Sequence, residues 1–90
     1  MESKTTEKFR KCFESLPDTV QEEARKVYAK WKTNPYNEKL KFKKIHTKGD
    51  IYSVRIGLNW RAIGVKIEDK VTWFWIGSHS DYDKLIKKLK

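Results

Sequence analysis

Residues 51–82 read IYSVRIGLNWRAIGVKIEDKVTWFWIGSHSDY, and this stretch restricts the fold more than any other. In Ile51–Ile56, Tyr52, Val54 and Ile56 alternate with Ile51, Ser53 and Arg55, the two-residue period of a strand with two different faces. Gly57-Leu58-Asn59 ends the run as a turn. Trp60–Ile67 alternates again, with Arg61 on the face of Ile63, Val65 and Ile67, and Glu68-Asp69-Lys70 makes a second turn. Residues 71–77 (VTWFWIG) are apolar at nearly every position, as in a central strand covered on both sides. Strands joined by such short turns run antiparallel, because a parallel pair needs a crossover of a dozen residues or more.

The rest of the chain reads as support for that sheet. Residues 6–16 place Phe9, Cys12, Phe13 and Leu16 at i, i+3, i+4 and i+7, one face of a helix that Thr5 or Thr6 can cap and Pro17 stops. A longer helix opens at Asp18, with Asp18 and Gln21 spaced as a capping-box-like pair. It carries Val20, Ala24, Val27, Tyr28 and Trp31 on one face and ends near Thr33, before Asn34-Pro35. Residues 34–39 form a loop, residues 40–45 (LKFKKI) a short strand with Leu40 and Phe42 on one face, and residues 46–50 a turn around Gly49. Tyr82, Leu85, Ile86 and Leu89 mark a last helix, started by Ser80 or Asp81. The expected architecture is α+β, a single domain over residues 1–90. An N-terminal helical hairpin packs on a twisted three- to four-stranded antiparallel sheet, and a short C-terminal helix follows.

Charge narrows the function classes. The net charge is +9 over 90 residues, and it is uneven. Residues 1–33 hold eight Lys and Arg against six Asp and Glu, whereas residues 34–90 hold thirteen against six. The sheet half therefore carries a field that attracts polyanions, nucleic acid above all. A single Cys12 forms no internal disulfide, and one Cys with two His far apart makes no metal site. No apolar run approaches the length of a membrane span and no leader pattern opens the chain, so the expected location is the cytoplasm and no membrane partner is expected. No Gly-rich phosphate loop, GxSxG, HExxH or CxxC occurs.

Arg61 carries the strongest chemical signal. It stands at the end of an otherwise apolar strand face, where a guanidinium can hold a phosphate through two hydrogen bonds. Arg55 lies on the preceding strand across a short turn, so the two side chains are expected to converge, with Lys43 and Lys44 joining from the neighbouring strand to follow a nucleic-acid backbone. A salt bridge of Arg61 to Asp81 or Asp83 is the alternative. His79 and Tyr82 follow the central strand directly and are candidate proton carriers. The other role for His79 is a polar cap on the last helix, and Tyr82 also begins that helix's apolar stripe. Asp81 and Asp83 are read as helix caps. His46, in a turn, has no assigned role.

The segments FRKCFESLP, NPYNEKLKFKKI, IYSVRIGLNWRAIGV and VTWFWIGSHSDYDKLI together resemble the RelE/ParE-type toxins of type II toxin–antitoxin systems over nearly the whole chain. The resemblance implies the hairpin-on-sheet fold and one of two activities. RelE-like members are ribosome-dependent endoribonucleases that cut mRNA through attack of the ribose 2′-hydroxyl on the adjacent phosphate, with no metal or cofactor. ParE-like members poison DNA gyrase without cleaving RNA. A basic nucleic-acid-binding module without catalysis is a third reading. The implied partners are a cognate antitoxin and either ribosome and mRNA or gyrase. By position, Arg61, His79 and Tyr82 would be the catalytic residues of the nuclease, and Arg55, Lys43 and Lys44 its RNA contacts. Ser53 stands where some members carry a second Lys, no Glu stands out as a general base, and the family's frequent N-terminal strand is not expected, the chain beginning with a helix.

Overall fold

The computed structural model describes residues 1–45 and 49–89; His46 and the rest of residues 46–48 in the expected turn, together with Lys90, lie outside them. The three strands of the alternating stretch are present as β3 (Ile51–Ile56), β4 (Trp60–Ile67) and β5 (Lys70–Ser78), paired antiparallel in sequence order. Gly57 in the first turn has φ +60°, a left-handed conformation that an L side chain resists. The α+β class holds, and the sheet has five strands in the order β1-β5-β4-β3-β2.

The two outer strands differ from expectation. β1 (Glu2–Thr5) lies parallel to β5, so the chain does not begin with a helix. Its residues ESKT show no apolar alternation, because an edge strand held by backbone hydrogen bonds needs none. On the other edge, residues 40–45 are not one strand. Glu38–Leu40 forms a short 3₁₀ turn, Lys41 takes a left-handed φ of 51°, and only β2 (Lys43–Lys44) pairs with β3. Leu40 and Phe42 are both buried, but from an irregular segment.

The helical hairpin is α1 (Glu7–Glu14) and α2 (Asp18–Thr33). Thr6 caps α1, its Oγ1 accepting from the Phe9 amide at 3.1 Å. The capping pair expected for α2 does not form, since Pro17 occupies the cap position. Gln21 instead turns back and donates from Nε2 to the carbonyls of Leu16 (3.0 Å) and Glu14 (3.3 Å), satisfying the end of α1. Trp31 of α2 is 1% exposed and meets Trp73 and Phe42 edge-on at centroid distances of 5.3 and 5.6 Å. Ala24 and Val27 join Val54, Ile56, Ala62, Val71 and Ile76 in the same core.

A bulge decides which β5 residues reach that core. Ile63 pairs with Trp75 and Gly64 with Trp73, leaving Phe74 as the extra residue. Strict alternation would put Trp73, Trp75 and Gly77 on one face. With the extra residue, Val71, Trp73 and Ile76 face the hairpin while Trp75 and Gly77 turn to the opposite face. Gly64 lets this side close, for a Cβ there would lie 2.8 Å from Val71 Cγ1 and 2.9 Å from Trp73 Cε3. Ile63 is wholly buried yet stands outside the hairpin core, on the opposite face.

That face receives α3 (His79–Leu89), which follows β5 without a loop. Ser78 caps it, its Oγ accepting from the Asp81 amide at 3.1 Å, so neither Ser80 nor Asp81 starts the helix. Tyr82, Leu85 and Ile86 are half-buried. Among the described residues no helix is long and apolar enough to cross a membrane.

Candidate functional site

The turn after Ile56 sets the register of β3 on β4, and the register makes Arg55 and Arg61 direct cross-strand partners. Both side chains therefore leave the same face, the one opposite the hairpin core. Each guanidinium is fixed by a backbone carbonyl: Arg55 Nε donates to Gly57 O at 2.9 Å and Arg61 Nη1 to Trp60 O at 2.8 Å. One N–H of five is used in each. Among the described residues no carboxylate lies within 4.0 Å of either group, so the expected alternative of an Arg61 salt bridge to Asp81 or Asp83 is not what forms. Like charges placed directly opposite are destabilising, and this pair is retained without a counter-charge.

Lys43 and Lys44 separate. Lys43 is the cross-strand partner of Ser53 and shares the arginine face, whereas Lys44 pairs with Tyr52 on the hairpin face, its Nζ 3.8 Å from Asp50 Oδ1. Consecutive residues of a strand point to opposite sides, so only one of the two can join the arginines.

The first turn of α3 completes the cluster. The His79 amide donates to Asn59 O at 2.6 Å, tying the helix start to the β3–β4 turn between the arginines. The His79 imidazole lies with Nε2 3.4 Å from Asp83 Oδ1, one helical turn on, and its centroid is 6.0 Å from that of Tyr82. Tyr82 reaches across β4, and its O–H donates to Ser53 Oγ at 3.2 Å. Ser53 is 3% exposed, the one buried polar side chain among the core positions. Asp83 is thus a partner of His79 rather than a cap. Sequence reasoning gave Asn59 and Ser53 no part in the site and read Asp83 only as a helix cap or a salt-bridge partner of Arg61. The i, i+4 spacing of His79 and Asp83 was the one available signal.

Trp75 adds an aromatic surface to this side. A Cβ on Gly77 would lie 2.6 Å from Trp75 Cζ2, so the indole rests against the Gly77 backbone, and Gly77 pairs with Arg61. Two hollows lie elsewhere. One of about 640 Å³ opens between α1, α2 and the sheet, walled by Phe9, Phe13, Val27, Tyr28, Trp31 and Trp73 and rimmed by Lys4, Arg10 and Arg25. Another of about 650 Å³ lies at the Glu68-Asp69 turn. Neither is lined by Arg55, Arg61, His79 or Tyr82. Among the described residues no group of three or more His, Cys, Asp or Glu is placed to hold a metal ion.

Comparison with known proteins gives a consistent picture. The family described as the ParE-like toxin domain matches residues 18–84. A search of curated proteins finds no significant match. Among solved structures, the chain is similar to one from the RelB–RelE antitoxin–toxin complex of Methanococcus jannaschii, at 22% identity and a TM-score of 0.71 over 89% of this chain and 95% of that one. It is similar to one from the intact RelBE toxin–antitoxin complex of E. coli, at 19% identity and 0.65 over 84% and 93%. A YoeB/ParE toxin from Agrobacterium tumefaciens matches at 15% identity and 0.67 over 88% and 99%. At these identities the structures establish the fold.

Proposed function

The chain belongs to the ParE-like toxin domain family, which makes it a toxin of a toxin–antitoxin system, and from that premise we propose that it is a ribosome-dependent endoribonuclease cleaving mRNA. The observation that carries this reading is the Arg55–Arg61 couple, with no carboxylate within 4.0 Å among the described residues, on the face over which α3 folds back from His79. Two guanidiniums leaving one face of the sheet from directly paired positions can hold one phosphate before reaction and stabilise the charge that grows on its oxygens during reaction.

In the step we assign, the ribose 2′-oxygen attacks the adjacent phosphorus. The bond from phosphorus to the 5′-oxygen breaks, leaving a 2′,3′-cyclic phosphate and a 5′-hydroxyl. The 2′-hydroxyl proton passes to the His79 imidazole, and the departing 5′-oxygen takes a proton from water. Tyr82 donates its O–H to Ser53, so its ring is assigned to holding α3 and His79 in place rather than to proton transfer. Lys43 contacts the RNA backbone, and Lys44, on the other face, does not.

A cognate antitoxin is the protein partner. The groove between α1 and α2, apolar within and basic at its rim, suits a segment with an apolar face and acidic flanks.

The test is mapping of mRNA cuts on programmed ribosomes. The wild-type protein is expected to cut, and Arg61→Ala and His79→Ala to cut at least about a hundredfold more slowly, the loss typical of removing one transition-state donor. Undiminished cutting by both variants removes these assignments. The ParE-like character of the family match favours a second reading, gyrase poisoning, which DNA damage with intact mRNA would select. Salt-sensitive RNA binding without growth arrest would select a binding module without catalysis.

A further inference from the structure

His79 has a carboxylate neighbour, Asp83, to which the functional reading gives no part. Nε2 of His79 lies 3.4 Å from Asp83 Oδ1, and the two residues stand one turn apart at the start of α3. The backbone of His79 is held independently, by its amide on Asn59 O and by the Ser78 cap one residue before it. With the backbone anchored at that end, a carboxylate 3.4 Å from Nε2 favours a proton on that nitrogen over one on Nδ1. A carboxylate accepts but cannot donate. Beside it, the neutral ring carries its proton on Nε2 and presents the lone pair on Nδ1.

We infer that Asp83 is a positioning residue, which orients His79 so that Nδ1 exchanges the proton with RNA; the inference rests on the nuclease reading above. Tyr82 borders the imidazole with its ring, its hydroxyl being turned to Ser53. Asp83 is thus the carboxylate within 4.0 Å of the ring among the described residues. When Nδ1 takes the 2′-hydroxyl proton, the imidazolium that forms has the Asp83 carboxylate 3.4 Å from Nε2, the side on which a hydrolase triad places its orienting carboxylate. Because the side chains of His79 and Asp83 are 46% and 60% exposed, the couple adds little to stability, and Asp83 variants should fold.

Two measurements on the full chain decide the matter. The first is ribosome-dependent cleavage under single-turnover conditions. Asp83→Ala and Asp83→Asn should lower the cleavage rate about tenfold, well short of the loss for a buried triad carboxylate, with unchanged half-saturation. Asp83→Glu should recover most of the rate. The second is ¹⁵N NMR of the His79 ring at a pH where it is neutral, with His46→Gln to leave one histidine. The Nε2–H tautomer should dominate in the wild type, and Asp83→Asn, whose amide can donate to Nε2, should favour the Nδ1–H form. Wild-type rates with an unchanged tautomer in both Asp83→Ala and Asp83→Asn overturn the inference while leaving the nuclease reading in place. Absence of cutting by the wild type removes the nuclease reading, and the NMR result then decides whether Asp83 sets the tautomer.

Discussion

Replacing Arg61 by Met should make the protein more stable and less active. Arg55 and Arg61 are direct cross-strand partners, with no carboxylate within 4.0 Å among the described residues. Two unit charges about 5 Å apart in water repel by about 0.8 kcal/mol, and cross-strand pairs generally contribute roughly 0.2–1 kcal/mol. We take about 0.5 kcal/mol for this pair, which is a rise in Tm of about 2–4 °C for a domain near this size. Met keeps an unbranched stem, so the change removes mainly the charge. It also removes the 2.8 Å bond to Trp60 O, and a double-mutant cycle is therefore needed. Urea unfolding of the wild type, Arg55→Met, Arg61→Met and the double variant isolates the coupling. It should be unfavourable at low salt and vanish near 1 M salt, where the screening length is about 3 Å. A favourable coupling, or one that salt leaves unchanged, would refute the view that the two guanidiniums are held together at a cost in stability.

Other substitutions test the frame around that pair. Trp31→Ala should cost about 3–5 kcal/mol in urea unfolding, since the ring is 1% exposed and packs edge-on against Trp73 and Phe42. Ser53→Ala should cost about 1 kcal/mol by removing the acceptor of the Tyr82 hydroxyl, and hydrogen exchange should speed up in α3 before any other element. Gly77→Ala should cost about 1–3 kcal/mol and shift the tryptophan emission, because its Cβ would stand 2.6 Å from Trp75 Cζ2.

The readable parts of the fold were those where side-chain pattern and backbone agree. The alternation in Ile51–Ile56 and Trp60–Ile67 located β3 and β4, and Pro17 with Asn34-Pro35 bounded α2 at Asp18 and Thr33. Elements whose pairing rests on the backbone ladder rather than on an apolar face were not readable. β1 is four largely exposed residues whose ladder partners are β5 backbone groups, which leaves no trace in ESKT. The bulge at Phe74 is equally silent, because VTWFWIG is apolar whichever residues face inward. Lys41 broke the expected strand by adopting a conformation that non-glycine residues rarely take.

The same division runs through the site. Arg55 opposite Arg61 followed from turn length, since a three-residue connection between two alternating strands leaves little choice of register. The side assigned to Lys44 was also derivable, because its strand neighbour Lys43 already took the arginine face. By contrast, the hold of α3 on the sheet depends on one buried hydroxyl, and Ser53 looked like a missing lysine until Tyr82 was seen to reach it. A lysine there would bring a fourth cation onto the face of Lys43, Arg55 and Arg61 and remove the acceptor that fixes Tyr82. The serine therefore trades charge for placement. The face keeps the three cations Lys43, Arg55 and Arg61 rather than four, and in return the helix carrying His79 is tied by its own amide to Asn59 and by Tyr82 to Ser53.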